Sequence, residues 1–144
     1  MERAPSAGIP STELCLNCHS QVWNKSPLLD LVRASWFSGE PIPWVRVHRL
    51  PGFVYFNHAA HVNKGVGCVE CHGRVDRMAA IEQVQPLNMG WCLDCHRDPN
   101  PRLRPLEEST SMTWSPEGDR AHLGRELAKK YDVKPRTSCY TCHR

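Results

Sequence analysis

The sequence predicts a fold of short helices and irregular segments, with little or no β-sheet, wound around covalently held groups and not around a core of its own side chains. Three observations predict it. All eight cysteines fall in four C-x-x-C pairs, Cys15/Cys18, Cys68/Cys71, Cys92/Cys95 and Cys139/Cys142. Each pair is followed at once by a histidine, giving His19, His72, His96 and His143. Finally, 9 Gly, 12 Pro and an aromatic content of 8% in 144 residues argue against long regular elements.

The repeated motif carries the chemistry. Four histidines placed this way by chance would occur in about one chain in 10⁵. C-x-x-C-H is the attachment signature of c-type haem: two thiols add across the two vinyl groups of one porphyrin, and the adjacent imidazole reaches the iron. A zinc site also uses paired C-x-x-C but gives no reason for a histidine after every second cysteine. A thioredoxin-like redox pair would appear once, in a βαβ context. Structural disulfides require no such pairing, and cysteines this close rarely bridge each other. The fold class is therefore a multihaem cytochrome c with four haem c groups. Porphyrins can supply much of the apolar interior, so an irregular, proline-stiffened chain still buries apolar surface.

Composition removes other classes. No uncharged apolar stretch approaches the roughly 18 residues of a membrane span. The formal charge of +3 comes from scattered Lys and Arg, so nucleic acid is not an expected partner.

Along the chain, residues 1–26 read as turn-rich and carry the first motif. Ser26 and Pro27 read as N-cap and first helical residue, with Leu28, Leu31, Val32 and Trp36 as one apolar helix face. Gly39 stops this helix, and Pro41 and Pro43 forbid its resumption. Residues 44–56 read as extended, with Val45, Val47, Val54 and Phe56 interrupted by Pro51-Gly52. Short helices are expected over 58–63 and 76–84. A loop is expected from Pro99 to about Pro116. Leu123, Leu127 and Tyr131, four residues apart, then predict a core-packing helix over 119–131.

A weak internal repeat relates Pro10 through His19 to Pro86 through His96, with Glu2-Arg3 matching Asp76-Arg77. The organisation expected is one domain over 1–144: pseudo-repeats 1–45 (truncated at its start) and 46–105, then a haem segment 106–144. In the second unit Arg77 lies five residues after His72, so the repeat predicts a fifth C-x-x-C-H ahead of Met1. Haem attachment follows export, and the first fifteen residues contain no apolar signal core. An extracytoplasmic location therefore implies a leader or anchor outside this sequence.

Each iron has a second axial position. His48, His58, His61 and His122 lie outside the motifs, enough in number for bis-histidine ligation. His58 and His61, three residues apart just ahead of Cys68, could face different haems from one helical turn. His48 lies on an extended segment between motifs. His122 and Met112 compete for the last position, and a thioether there would raise that haem's potential. Trp23, Trp44, Trp91 and Trp114 are expected to pack against porphyrin faces.

Phe56-x-His58-x-x-His61 ahead of Cys68 resembles the class III multihaem cytochromes. A longer run resembles the multihaem, usually pentahaem, cytochrome c subunit of alternative complex III. It runs from Ser26 through Pro41-Ile-Pro-Trp-Val-Arg-Val-His48, Leu50 through His58, Gly73-Arg-Val-Asp76 and Pro86 through Cys92. The resemblance implies an electron-transfer subunit, not itself an enzyme, at the periplasmic face of the cytoplasmic membrane. Its implied partners are the iron–sulfur and integral-membrane quinol-oxidising subunits of the same complex. A monohaem cytochrome c, a copper protein or an oxidase would be the acceptor. It also implies that His48, His58 and His61 are distal ligands, and that Met112, in Thr-x-Met-x-Trp, ligates the last haem. Two rivals remain at this stage: a free periplasmic tetrahaem shuttle or haem filament, and a multihaem reductase with one open haem.

Overall fold

A computed structural model describes Arg3 and residues 8–143. It contains seven short α-helices among those residues, joined by coil and 3₁₀ turns, and no β-strand. Pairing is limited to two isolated antiparallel bridges, Val54 with His143 and Val66 with Leu103. The chain divides into two compact units, one of Gly8–Arg46 and one built from Val47 onward.

In the first unit, α1 (Thr12–His19) packs on α2 (Asp30–Ser38). The segment read as turn-rich thus contains a helix, and the first C-x-x-C-H lies on it. Ser26 Oγ accepts from the Leu28 N–H and Pro27 opens a 3₁₀ turn, Pro27–Leu29, that feeds α2. The expected start therefore holds, with the first turn tighter than α. Gly39 ends α2 at φ +74°, a left-handed conformation that only glycine adopts without strain. Arg33 ties the preceding loop to the helix by donating to the Asn24 and Ser26 carbonyls at 2.8 Å each, and it also pairs with Asp30. The expected apolar face is only partly covered by protein: Val32 is half-buried, while Leu28 is 87%, Leu31 56% and Trp36 47% exposed. Ile42 and Ser35 are the buried side chains here.

The second unit carries α3 (His58–Val62), α4 (Cys68–His72), α5 (Met89–Arg97), α6 (Arg120–Lys130) and α7 (Cys139–Cys142). Asn57, Asn88 and Asp119 cap α3, α5 and α6, each side chain accepting a backbone N–H of the first turn. The expected helices at 58–63 and 119–131 are present as α3 and α6. The one expected at 76–84 is absent beyond a 3₁₀ turn, Val75–Arg77. Met78 turns extended, and Val84 folds back against Gly73, which a helix advancing 1.5 Å per residue could not do. Residues 44–56 are coil, with Val54 alone in a bridge.

The expected loop 99–116 proves to be the centre of this unit. Its 3₁₀ turns, Asn100–Arg102 and Leu106–Glu108, flank Leu103 and Arg104, which are 1% and 2% exposed. The Arg104 N–H donates to the Gly65 carbonyl at 2.9 Å, and the Leu106 N–H donates to the Tyr131 hydroxyl at 3.2 Å. Leu127 of α6 is buried, as its spacing predicted, and Leu123 and Tyr131 are half-buried. α6 lies so close to Asn100 that a Cβ at Gly124 would run into the Asn100 carbonyl. Gly124→Ala should therefore lower the stability of the haem-loaded protein by about 1–3 kcal/mol. At an open helical position the same change would stabilise by up to about 1 kcal/mol. Guanidinium titration of the two proteins checks the sign.

Candidate haem-attachment sites

Three motifs are helical throughout, and the fourth is helical only as far as Cys142, where His143 leaves in extended backbone. Cys15, Cys18 and His19 lie on α1; Cys68, Cys71 and His72 form the ends of α4; Cys92, Cys95 and His96 lie on α5; Cys139 and Cys142 bound α7, with His143 at its C-cap. The helical period explains why this spacing works. Residues i, i+3 and i+4 share one face, so two thiols and an imidazole point the same way. None of the eight cysteines is in a disulfide.

The second-unit motifs lie close enough to act on one another. The Cys71 thiol is pushed up to about 11, first by burial, then by Cys95 and Glu70, with Arg102 opposing. Cys92 is raised by burial and then by Cys142 and Cys95. Cys95 is raised by burial, with Arg102 opposing and Glu70 adding. The closeness of the sites at 68–72 and 92–96 agrees with the short stretch of chain between them.

Three of the four motif imidazoles are oriented by their Nδ1 atoms. Nδ1–H donates to the Val22 carbonyl from His19 (3.0 Å), to Arg136 from His96 (2.8 Å) and to Phe53 from His143 (3.2 Å). A carbonyl only accepts, so Nδ1 of each of these rings is the donor, and the tautomer with Nε2 bare is the one an iron ligand needs. His61 follows the same rule, donating to the Asn57 carbonyl at 2.8 Å. The backbone at 53–55 clamps the last motif further: the Tyr55 N–H donates to the Cys142 carbonyl at 2.8 Å.

Two imidazole pairs stand out. His58 and His72 have ring centroids 6.3 Å apart and planes within 5°; His61 and His96 are 6.0 Å apart at 60°. An ion bound by two ring nitrogens at about 2 Å each separates the ring centres by roughly 6 Å. Both pairs therefore have room for one iron between them. His48 is different: its Nε2 is 3.3 Å from His72 Nδ1, and the rings meet edge-on with centroids 4.4 Å apart. These two do not span an iron together. Phe56 touches both His58 (4.7 Å) and His61 (4.5 Å) and fixes them against each other. Burial, followed by the nearby His96 and His58 charges, holds the His61 imidazole below its ordinary value, against the upward pull of the Asn57 carbonyl.

Met112 is half-buried on a segment pinned by Arg104, which donates to the Ser111 carbonyl at 3.0 Å and lies 5.2 Å over Trp114. His122 is exposed in the first turn of α6. Arg102 lies 6.0 Å over Trp91, so Trp91 and Trp114 each offer one face to a guanidinium. Trp23 and Trp44 are 72% and 60% exposed. Sequence reasoning missed Glu70, Arg102 and Arg104. The first was visible as a charge inside a motif, whereas the backbone acceptors at Val22, Phe53 and Arg136 have no sequence signal.

The residues fit haem. Four C-x-x-C-H motifs whose cysteines sit on helices, three of them with an imidazole anchored through Nδ1, and exposed apolar side chains suit a planar, thioether-linked group. In the first unit a cleft of about 520 Å³ opens beside His19, lined by Leu16, Arg33, Trp36 and Phe37 among others.

Fold and sites together define a multihaem c-type cytochrome. The chain belongs to the family described as "Cytochrome c7 and related cytochrome c", which it matches over residues 54–144, more than half of its length. It carries haem c. It is also similar to a protein of Nitratidesulfovibrio vulgaris (strain Hildenborough) named "Menaquinone reductase, multiheme cytochrome c subunit". The two are 39% identical over 67 residues, 46% of this chain and 31% of the relative. The chain thus spans about a third of that relative's length.

Haem count tests the independence of the first site. Replacing Cys15 and Cys18 together by serine should lower the haem content from four to three, read by intact mass and pyridine haemochrome absorbance.

Proposed function

We propose that the chain is an electron-transfer subunit of a quinol-oxidising membrane complex of the alternative complex III kind, relaying electrons to a periplasmic or oxidase acceptor. The observation that carries this reading is the pair of iron-sized imidazole separations, His58 to His72 and His61 to His96. Haem c, when bound, supplies an iron that gains and loses one electron. The chain's residues do the rest. The paired cysteines tether, the motif histidines hold Nε2 toward the metal, and His58 and His61 close the opposite face to substrate. His48 stands as a distal donor for an iron other than that of His72, and Met112 as the donor at the last motif. No residue here is assigned a catalytic role.

Membership of a complex is supported by the resemblance running from Ser26 to Cys92 and by the name of the similar protein, a subunit of a menaquinone reductase. Its partners would be iron–sulfur and quinone-binding membrane subunits, at the extracytoplasmic face where c-type haem is attached. That name also favours a second reading, in which electrons run through the chain into menaquinone. Among the described residues no helix is long and apolar enough to cross a membrane.

Two measurements test this. His61→Ala should open one iron, adding one carbon monoxide site per reduced chain and a high-spin signal; no added site would refute the His61–His96 pairing. In detergent-solubilised host membranes the chain should co-purify with membrane subunits, and a quinol should reduce its haems. Oxidation of the reduced haems by menaquinone, without reduction by quinol, would establish the second reading. Recovery in the soluble fraction alone would make the chain a free shuttle.

A further inference from the structure

Glu70 is the one charged residue inside any of the four motifs' x-x positions besides Asp94, and it is the one drawn into the protein. Three arginines converge on its carboxylate. Arg104 and Arg120 reach Oε1 at 3.0 and 2.9 Å, and Arg102 faces Oε2 at 3.6 Å. Their placement is unequal. Arg104 lies against Gly67, the residue before Cys68, so tightly that a Cβ there would overlap its guanidinium. Glu70 immediately precedes Cys71. The Glu70–Arg104 pair therefore places one negative charge beside Cys71 and one positive charge beside Cys68 of the same motif. Arg120 is 44% exposed and screened by water. Arg102 is the remaining positive charge, 34% exposed, and it lies over the ring of Trp91 beside Cys92.

We propose that Glu70 and Arg102 order the reduction potentials of the haems at His72 and His96, with the His96 site the higher. A positive charge favours the reduced form of a nearby iron centre and a negative charge opposes it. An electron exchanged between the two sites, one oxidised as the other is reduced and with no bond made or broken, then rests on the His96 side. The inference depends on the haem-ligand reading above and gives it a direction.

Potentiometric titration of the four-haem protein, with individual haems resolved by EPR or NMR, tests it. Arg102→Gln should lower the His96 potential more than the His72 potential, changing the exchange equilibrium by about three- to tenfold, where tenfold is 59 mV for one electron. Glu70→Gln should raise the His72 potential more than the His96 potential. Both variants narrow the gap. Glu70→Gln leaves Arg104 buried without its carboxylate and could fail to fold, in which case the half-exposed Arg102→Gln decides alone. Equal shifts at both haems, or an unmoved gap in Arg102→Gln at full haem content, would overturn the proposal. Absence of two bis-histidine signals in the unsubstituted protein would instead refute the ligand reading beneath it.

Discussion

A motif that must present two thiols and one imidazole to the same planar group constrains everything around it. A helical turn places i, i+3 and i+4 on one face; five residues suffice for α4, while α7 carries the two cysteines and leaves His143 in extended backbone. Helices that short are unstable alone. They persist because chain elsewhere pins them: Phe53 and Tyr55 hold α7, and the Cys68 N–H donates to the Ser109 carbonyl at 2.9 Å. A core of the usual kind is correspondingly small. Among the described residues the buried hydrophobic side chains are Ile42, Leu103 and Leu127.

In the second unit, Arg104 takes the place such a core would occupy. Its guanidinium reaches the Ser111 carbonyl, Glu70 and the face of Trp114, while its backbone N–H reaches Gly65. One side chain thus joins the segment before α4, α4 itself and the loop bearing Met112. Burying an arginine is unfavourable unless its charge is matched, and Glu70 matches it. The carboxylate that steadies the scaffold is also the charge nearest Cys71, so stability and electrostatics at this site are not separable by design of one residue.

The attachment sites were legible because covalent chemistry fixes residue type and spacing together. The helices at α2, α3 and α6 were legible from a cap, a proline, a glycine stop or a four-residue period. Other features were not. α5 has a clear cap in Asn88, yet its composition is dominated by the motif, which hides the helical signal. The 76–84 segment follows a tertiary demand, Val84 closing over Gly73, that no local pattern encodes. Leu28 and Leu31 have the period of a core face, and period cannot tell whether protein or porphyrin covers it. Above all, the Nδ1 acceptors are main-chain carbonyls, which every residue possesses, so sequence cannot mark them.

The spare imidazoles are distributed unevenly, and this separates the two units chemically. Residues 47–143 hold His48, His58, His61, His122 and Met112 for three motifs, whereas residues 8–46 hold one motif and no histidine beyond His19 and no methionine. An imidazole or thioether for the second axial position at His19 must therefore come from outside residues 8–46. The second unit would thus have side-chain donors of its own for the second positions of its three irons. The first can bind its porphyrin, through two thioethers and an imidazole anchored on Val22, but cannot by itself determine whether that iron is closed. The ligand supplied from outside would set both the potential of that haem and its access to small molecules.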